Sequence, residues 1–355
     1  MSTVFPLFSL PFLPLKEVFD HFEPQEILII SLCSQRSKNY AISYRGPSKN
    51  IRIALNSGAN SFLSYYEDSM FFGLVDVTEI SKLPKVSTLE TVKIGNYPKI
   101  PVTMGSVRGL TCLKTYWENR IIGMKEMINY ARKIFNRDIY HVTLGKQRTE
   151  NDHRRVVDLV MKIQNSISTI YCDFPLKNHA DLDMILERCK YTQGLSLFVS
   201  NTKDYSPSKQ PNFNVDSVHI YHSYWIKPIH FMAMNCKYII LQESLLTNED
   251  INTFLKHWMN GGCFPLKNLF IRNEEPENYE DVLNGWEYTE IDDEVKRDFV
   301  NEGDDLQSIY GGSDIKRPID DVIATIKNSS RQFRMIVWPD IDGNSHLQTG
   351  SEPQL

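Results

Sequence analysis

The stretch LPFLPLKEVFDHFEPQEILII, residues 10–30, sets prolines between short apolar runs, and its spacing decides how the chain begins. Leu10-Pro11 and Leu13-Pro14 set extended backbone, because a proline pushes the residue before it out of the helical region. A helix is then expected from Leu15 to Phe22, with Leu15, Val18, Phe19 and Phe22 at spacings of three and four on one face. Glu23-Pro24 restarts the chain. Pro24 suits a first helical position, where its missing N–H costs nothing, and Glu26 in the first turn suits the helix dipole. The second helix carries Ile27, Leu28, Ile30 and Leu32 and ends in the polar run Ser34, Gln35, Arg36, Ser37, Lys38. Two short helices have no core of their own, so their apolar faces must pack on the rest of the chain or on a partner. The spacing alone leaves both open.

Beyond Ile51 the pattern changes to short strands mixed with helices. Thr91 to Thr103 alternates apolar residues around Asn96-Tyr97-Pro98 and reads as a strand pair, and Trp117 to Phe135 reads as a helix. Strand-like runs follow at Ile139–Leu144, Ser168–Cys172, Leu195–Val199, Ser217–Tyr221, Tyr238–Leu241 and Leu269–Ile271. Aligned on Val142, Ile170, Val199, Ile220, Leu241 and Ile271 they are 28, 29, 21, 21 and 30 residues apart. Leucine-rich arrays repeat every ~20 to 29 residues with one strand and one helix each. The expected fold is therefore α/β: a small all-helical module at 5–50, then a leucine-rich-repeat-like domain at 51–340 with a curved, mostly parallel sheet, and a flexible tail at 341–355. Within that domain Thr247 to Met259 is the clearest helix, with Thr247 and Asp250 as a capping pair and Ile251, Phe254, Leu255 and Trp258 as the buried stripe. Residues 287–305 are acidic and poor in apolar side chains, and read as a surface loop.

The chain of 355 residues carries 39 Lys plus Arg against 44 Asp plus Glu, a formal charge of -5, which gives no electrostatic ground for nucleic-acid binding. The most basic stretch, Lys146, Arg148, His153, Arg154 and Arg155, reads as a solvated face. No run approaches the ~20 apolar residues needed to cross a bilayer, and the apolar N-terminus lacks a basic leader. Six cysteines stand singly without a CxxC pair, as reduced thiols of a cytosolic or nuclear protein would. No metal or cofactor is expected. His219 and His222 have no further ligand at metal spacing and fall on opposite faces of a strand, Gly145-Lys146 lacks the rest of a phosphate loop, and Asp181-x-Asp183 sits where a helix start favours acids.

The opening stretch resembles an F-box: Leu-Pro, an apolar helix, a proline followed two residues later by an acid, and a second apolar helix ending in small and basic residues. Leu10 and Pro11, then Val18, Phe19 and Phe22, then Pro24, Glu26, Ile27, Leu28 and Ile30 carry the pattern, while Leu13 and Ser37 depart from its frequent acid and tryptophan. The later segments Leu89–Gly95, Pro101-Val102, Lys114–Trp117, Leu246 through Gly262 and Phe333–Pro339 are similar to the type-2 F-box-associated domain of nematode F-box proteins. That resemblance implies a non-catalytic substrate receptor of an SCF-type cullin-RING ubiquitin ligase. The ten residues just named would dock on a Skp-type adaptor, and through it on cullin and RING subunits, while the C-terminal domain holds a protein target. Phe198, His219, Tyr221 and Arg272, in or beside strands of that domain, are candidates for its open face. A leucine-rich-repeat-like interaction scaffold without ligase contacts is the alternative.

Overall fold

Pro11 adopts extended backbone, with ψ 159°, and the first helix starts directly after it as α1 (Phe12–Asp20), three residues earlier than the prolines suggested. Pro14 falls at the third helical position, where the backbone N–H would have no intrahelical partner, so its ring is tolerated. α2 (Pro24–Cys33) follows with a reciprocal cap between Glu23 and Glu26. The polar run expected to end it instead starts α3 (Gln35–Tyr44), because Ser34 and Ser37 exchange side-chain and backbone hydrogen bonds at 2.9 and 3.0 Å. Ser37 is buried in that role.

The computed structural model describes residues 6–44, 51–58, 61–67, 70–85, 90–107, 110–146, 152–273, 282–302 and 305–338. The tail at 341–355 and Arg148 lie outside them. The chain divides into two compact units, residues 1–170 and 171–355.

In the first unit the N-terminal helices are followed by β1 (Ile51–Ser57), β2 (Ser61–Glu67), β3 (Met70–Glu79), β4 (Glu90–Ile94), β5 (Tyr97–Val107), β6 (Leu110–Trp117), α4 (Arg120–Phe135), β7 (Ile139–Leu144), α5 (Asp152–Ile163) and β8 (Ile167–Cys172). The strand order is β7-β1-β2-β3-β6-β5-β4, antiparallel except at β1–β7 and β3–β6. Gly95, at φ 57°, turns β4 into β5 where the sequence placed a strand pair. Trp117 ends a strand, and Asn119 then caps α4 by accepting from the N–H groups of Ile121 and Ile122. The core gathers Ile53, Leu55, Leu63, Val75, Met124, Met127, Ile128, Val142 and Leu144. A buried pair, Arg120 to Asp152 at 2.9 Å, ties α4 to α5. The expected solvated basic face is corrected at one position: Arg154 and Arg155 are exposed, but His153 is buried with Nε2 2.7 Å from the Gly145 carbonyl.

The second unit holds α6 (His179–Arg188), β9 (Tyr191–Leu197), β10 (Ser217–Ile220), α7 (Pro228–Met232), β11 (Tyr238–Ser244), α8 (Asn248–Met259), β12 (Asn268–Asn273), β13 (Thr289–Val300), β14 (Leu306–Lys316), β15 (Ile323–Asn328) and β16 (Gln332–Trp338). β9 to β12 run parallel as consecutive neighbours, while β12–β16, β16–β15, β15–β14 and β14–β13 are antiparallel. The expectation of a mostly parallel sheet is thus overturned: the sheet structure is mostly antiparallel, with parallel pairing at β1–β7, at β3–β6 and from β9 to β12. The reason is chain length between strands. Parallel neighbours need a crossover of a dozen or more residues, and β1 to β3 or β14 to β16 are separated by far fewer.

The expected loop at 287–305 is also corrected, since most of it is β13. Its acids face outward, whereas Arg297 and Phe299 face inward. Arg297 makes a two-pronged pair with Asp314 at 3.0 and 2.9 Å and donates to Thr325, which also accepts from the Trp338 indole at 2.8 Å. Gly312, at φ 112°, lies so close to the Ile326 carbonyl that an added Cβ would stand 2.7 Å from it.

Candidate functional site

Four of the ten residues expected at an adaptor contact are buried inside the first unit: Phe19, Pro24, Ile27 and Leu28. Phe19 packs its ring against Phe22 and Tyr44 at 5.5 and 5.1 Å, which holds α1 on α3. α2 is anchored through Ser31, which accepts from Tyr130 of α4, and through Gln25, whose side chain fills the space where Gly73 of β3 has no Cβ. Leu10, Val18, Phe22 and Ile30 are half-buried, and Pro11 and Glu26 are exposed. Beside them the first turn of α1 presents Phe12 and Leu13, 64% and 71% exposed. The result is an anchored helical module with one apolar edge facing out.

In the second unit the register of the parallel strands sorts side chains into two faces. Leu195, Leu197, Val218, Ile220, Ile239, Leu241, Leu269 and Ile271 point one way and are buried. On the other face a row of Ser196, His219, Ile240, Phe270 and Arg334 lies in direct cross-strand register. These five are all half-buried. Phe198 and Tyr221 follow one row further on, stacked at 5.6 Å, with Gln242 and Arg272 beyond them. The four candidates of this domain, Phe198, His219, Tyr221 and Arg272, therefore share a face. His219 meets the Phe198 ring edge-on at 4.8 Å and lies 3.2 Å from the Gln242 amide. Burial lowers its pKa from the ordinary histidine value, which favours the neutral ring.

Near β15 and β16 the same unit carries a groove of about 410 Å³ lined by Phe270, Tyr310, Lys327, Gln332 and Arg334 among others. Near the end of β11, at a break in its register with β12, Glu243 adopts φ 53° and accepts from His222 Nδ1 at 2.6 Å and the Tyr224 hydroxyl at 2.5 Å. These hydrogen bonds and the nearby His222 and Lys203 charges outweigh burial and lower its carboxyl pKa. His222 is thus held by a carboxylate, apart from His219. No cluster of three His, Cys, Asp or Glu side chains able to hold a metal occurs among the described residues. Nor is any helix there long and apolar enough to cross a membrane.

Comparison with known families places the F-box domain on residues 7–45, which covers α1 to α3, and the F-box associated domain on residues 209–271, which runs from before β10 into β12. The chain carries an F-box at its N-terminus and an F-box-associated domain in its C-terminal region. Among curated proteins it is similar to the Skn-1 dependent zygotic transcript 15 protein of Caenorhabditis elegans, with 23% identity over 235 residues, 62% of this chain. The match spans 65% of that relative's own length. No solved structure matches the chain. Domains of these two kinds are typical of non-catalytic adaptor proteins, and no enzymatic family is indicated. F-boxes typically bind a Skp-type adaptor.

Phe12 and Leu13, exposed in the first turn of α1, stand outside the ten residues named from the sequence, because the helix was expected to begin only after Pro14. On the second unit, reading the sequence missed Arg334. A charged residue inside the apolar run Phe333-Arg334-Met335-Ile336-Val337-Trp338 is the signal that could have singled it out.

Proposed function

We propose that this protein is the substrate-recognition subunit of an SCF-type cullin-RING ubiquitin ligase, acting in the cytosol or nucleus. The F-box docks on a Skp-type adaptor, which joins it to cullin and RING subunits, and the F-box-associated domain holds a protein target. Ubiquitin transfer is then promoted by proximity: a tethered target presents its lysines at high effective concentration to the charged conjugating enzyme. The receptor itself needs no nucleophile.

The observation that carries this reading is the exposed pair Phe12 and Leu13 within the stretch matched as an F-box. Large apolar side chains standing together at the surface favour a partner, and α1 itself is anchored further along by buried Leu15 and Phe19. Placing a charge there opposes desolvation without touching the internal core. The full-length chain with Leu13→Asp is expected to recover a Skp-type adaptor from extract about a hundredfold less well, equivalent to ~3 kcal/mol, with an unchanged thermal melt. Undiminished recovery would remove α1 from the contact.

A further inference from the structure

The buried arginines of this protein are matched to carboxylates. Arg120 pairs with Asp152 at 2.9 Å, Arg297 grips Asp314 with two hydrogen bonds, and Arg317 grips Asp320 at 2.8 and 2.7 Å. Arg334 differs. It is half-buried on the open sheet face, directly opposite Phe270 in the ladder, and its guanidinium lies 5.0 Å from the Phe270 ring and 6.0 Å from that of Phe299. Among the described residues its guanidinium has no ion pair and no hydrogen bond. A guanidinium taken partly out of water and left with aromatic faces alone retains its directional donors, which match a planar carboxylate.

The surroundings narrow the choice of anion. Lys327, the second cation of the groove, is already held by Asp293 and the Tyr310 carbonyl, and the Ser308 hydroxyl donates to Asp298. Of the two cations that line the groove, Arg334 is thus the one without a polar partner among the described residues. That suits a singly charged carboxylate better than a doubly charged phosphate. The groove opens along a sheet face whose next positions, Ile240 and His219, are half-buried, so a chain lying across the strands could reach apolar contacts on either side of the acid.

We propose that Arg334 receives the carboxylate of an aspartate or glutamate in an extended acidic segment of a partner protein. Taking that partner to be the ligase target rests on the function proposed above; the carboxylate site itself does not.

The test is fluorescence anisotropy on the full-length chain, without ligase subunits, using a labelled peptide of alternating glutamate and valine, its glutamine counterpart and its phosphoserine counterpart. The glutamate peptide is expected to bind and the glutamine peptide not to. Arg334→Gln should weaken the glutamate peptide at least tenfold, and Arg334→Lys should restore it only in part, because an ammonium cannot present two parallel donors. Gln332→Glu offers a competing acid in the same groove from an exposed position and should also abolish binding, which keeps the test sound if Arg334→Gln folds poorly. Equal binding by wild type, Arg334→Gln and Gln332→Glu would overturn the site, as would absence of glutamate-peptide binding. Tighter binding of phosphoserine than of glutamate would overturn the choice of carboxylate. Adaptor recovery measured on the same Arg334 variant should be unchanged, so a failed groove and a failed F-box assignment give different results.

Discussion

α2 of the F-box and α8 of the F-box-associated domain are of similar length, and both close their N-terminus with a reciprocal cap, Glu23 with Glu26 and Thr247 with Asp250. Their apolar residues are arranged differently. α8 keeps Ile251, Phe254, Leu255 and Trp258 on a single stripe, each with no exposed surface, and polar residues elsewhere. α2 is apolar nearly all round: Ile27 and Leu28 are buried against the chain, while Ile29, Ile30 and Leu32 are only half-buried. A helix with one stripe is satisfied by one sheet; a helix apolar on every side needs covering on every side. A cap therefore marks where a helix begins and says nothing of whether it has finished finding partners.

The sharpest way to break this contrast is to remove the largest residue of the α8 stripe. Trp258→Ala is expected to destabilise the chain by ~3 to 5 kcal/mol, read as a lower midpoint in urea or heat. An unchanged midpoint would mean that α8 is no better anchored than α2. Ile27→Asp should come close in size, because that side chain faces the protein's own core and would carry a buried charge. It is thus a test of folding, whereas Leu13→Asp tests binding; if both lower adaptor recovery without changing the melt, the assignment of Ile27 to the core is wrong.

The caps allow a finer comparison. Thr247→Ala removes the side chain that accepts from the Asp250 N–H and should cost about 1 kcal/mol, well below the loss at Trp258. Smallest is a pH effect on the open face. Burial holds the folded pKa of His219 below its unfolded value of about 6.5, so its stabilising contribution is fully present above that value. It is lost as pH falls through the lowered folded pKa, because the unfolded chain takes up the proton first. Denaturation midpoints at about pH 7.5 and about pH 5 should differ less in His219→Gln than in wild type. His141 and His230, lowered by burial too, should leave a residual dependence in the variant.

What could be read from the sequence followed the strength of local pattern. α8 was legible because cap and stripe agree and Gly261, at φ 86°, stops the helix, and β7 emerged with the expected bounds because Ile139, Val142 and Leu144 are core positions of a short run flanked by breakers. α3 was not, since its signal is two serines and a polar surface. β13 was not, because only Arg297 and Phe299 mark its inward side while its acids read as loop. Strand direction was the main failure: regular spacing of apolar runs reports how often strands occur, and pairing across β12–β16 joins residues sixty or more apart, which no local pattern encodes. At the F-box, the half of the module that packs inward and the half left outside carry the same apolar residue types, so only the folded chain separates Ile27 from Leu13.

Of the six cysteines, five are buried and only Cys33, at the last position of α2, is exposed. Burial also pushes the thiols of Cys236 and Cys263 up to about 12 and about 11, and raises those of Cys112 and Cys172, which removes them from thiolate chemistry near neutral pH. A maleimide dye added to the native protein would therefore attach at one position, at the C-terminal end of α2 within the F-box. The unmodified chain thus carries its own labelling point, from which arrival of an adaptor could be followed in real time without engineering a tag.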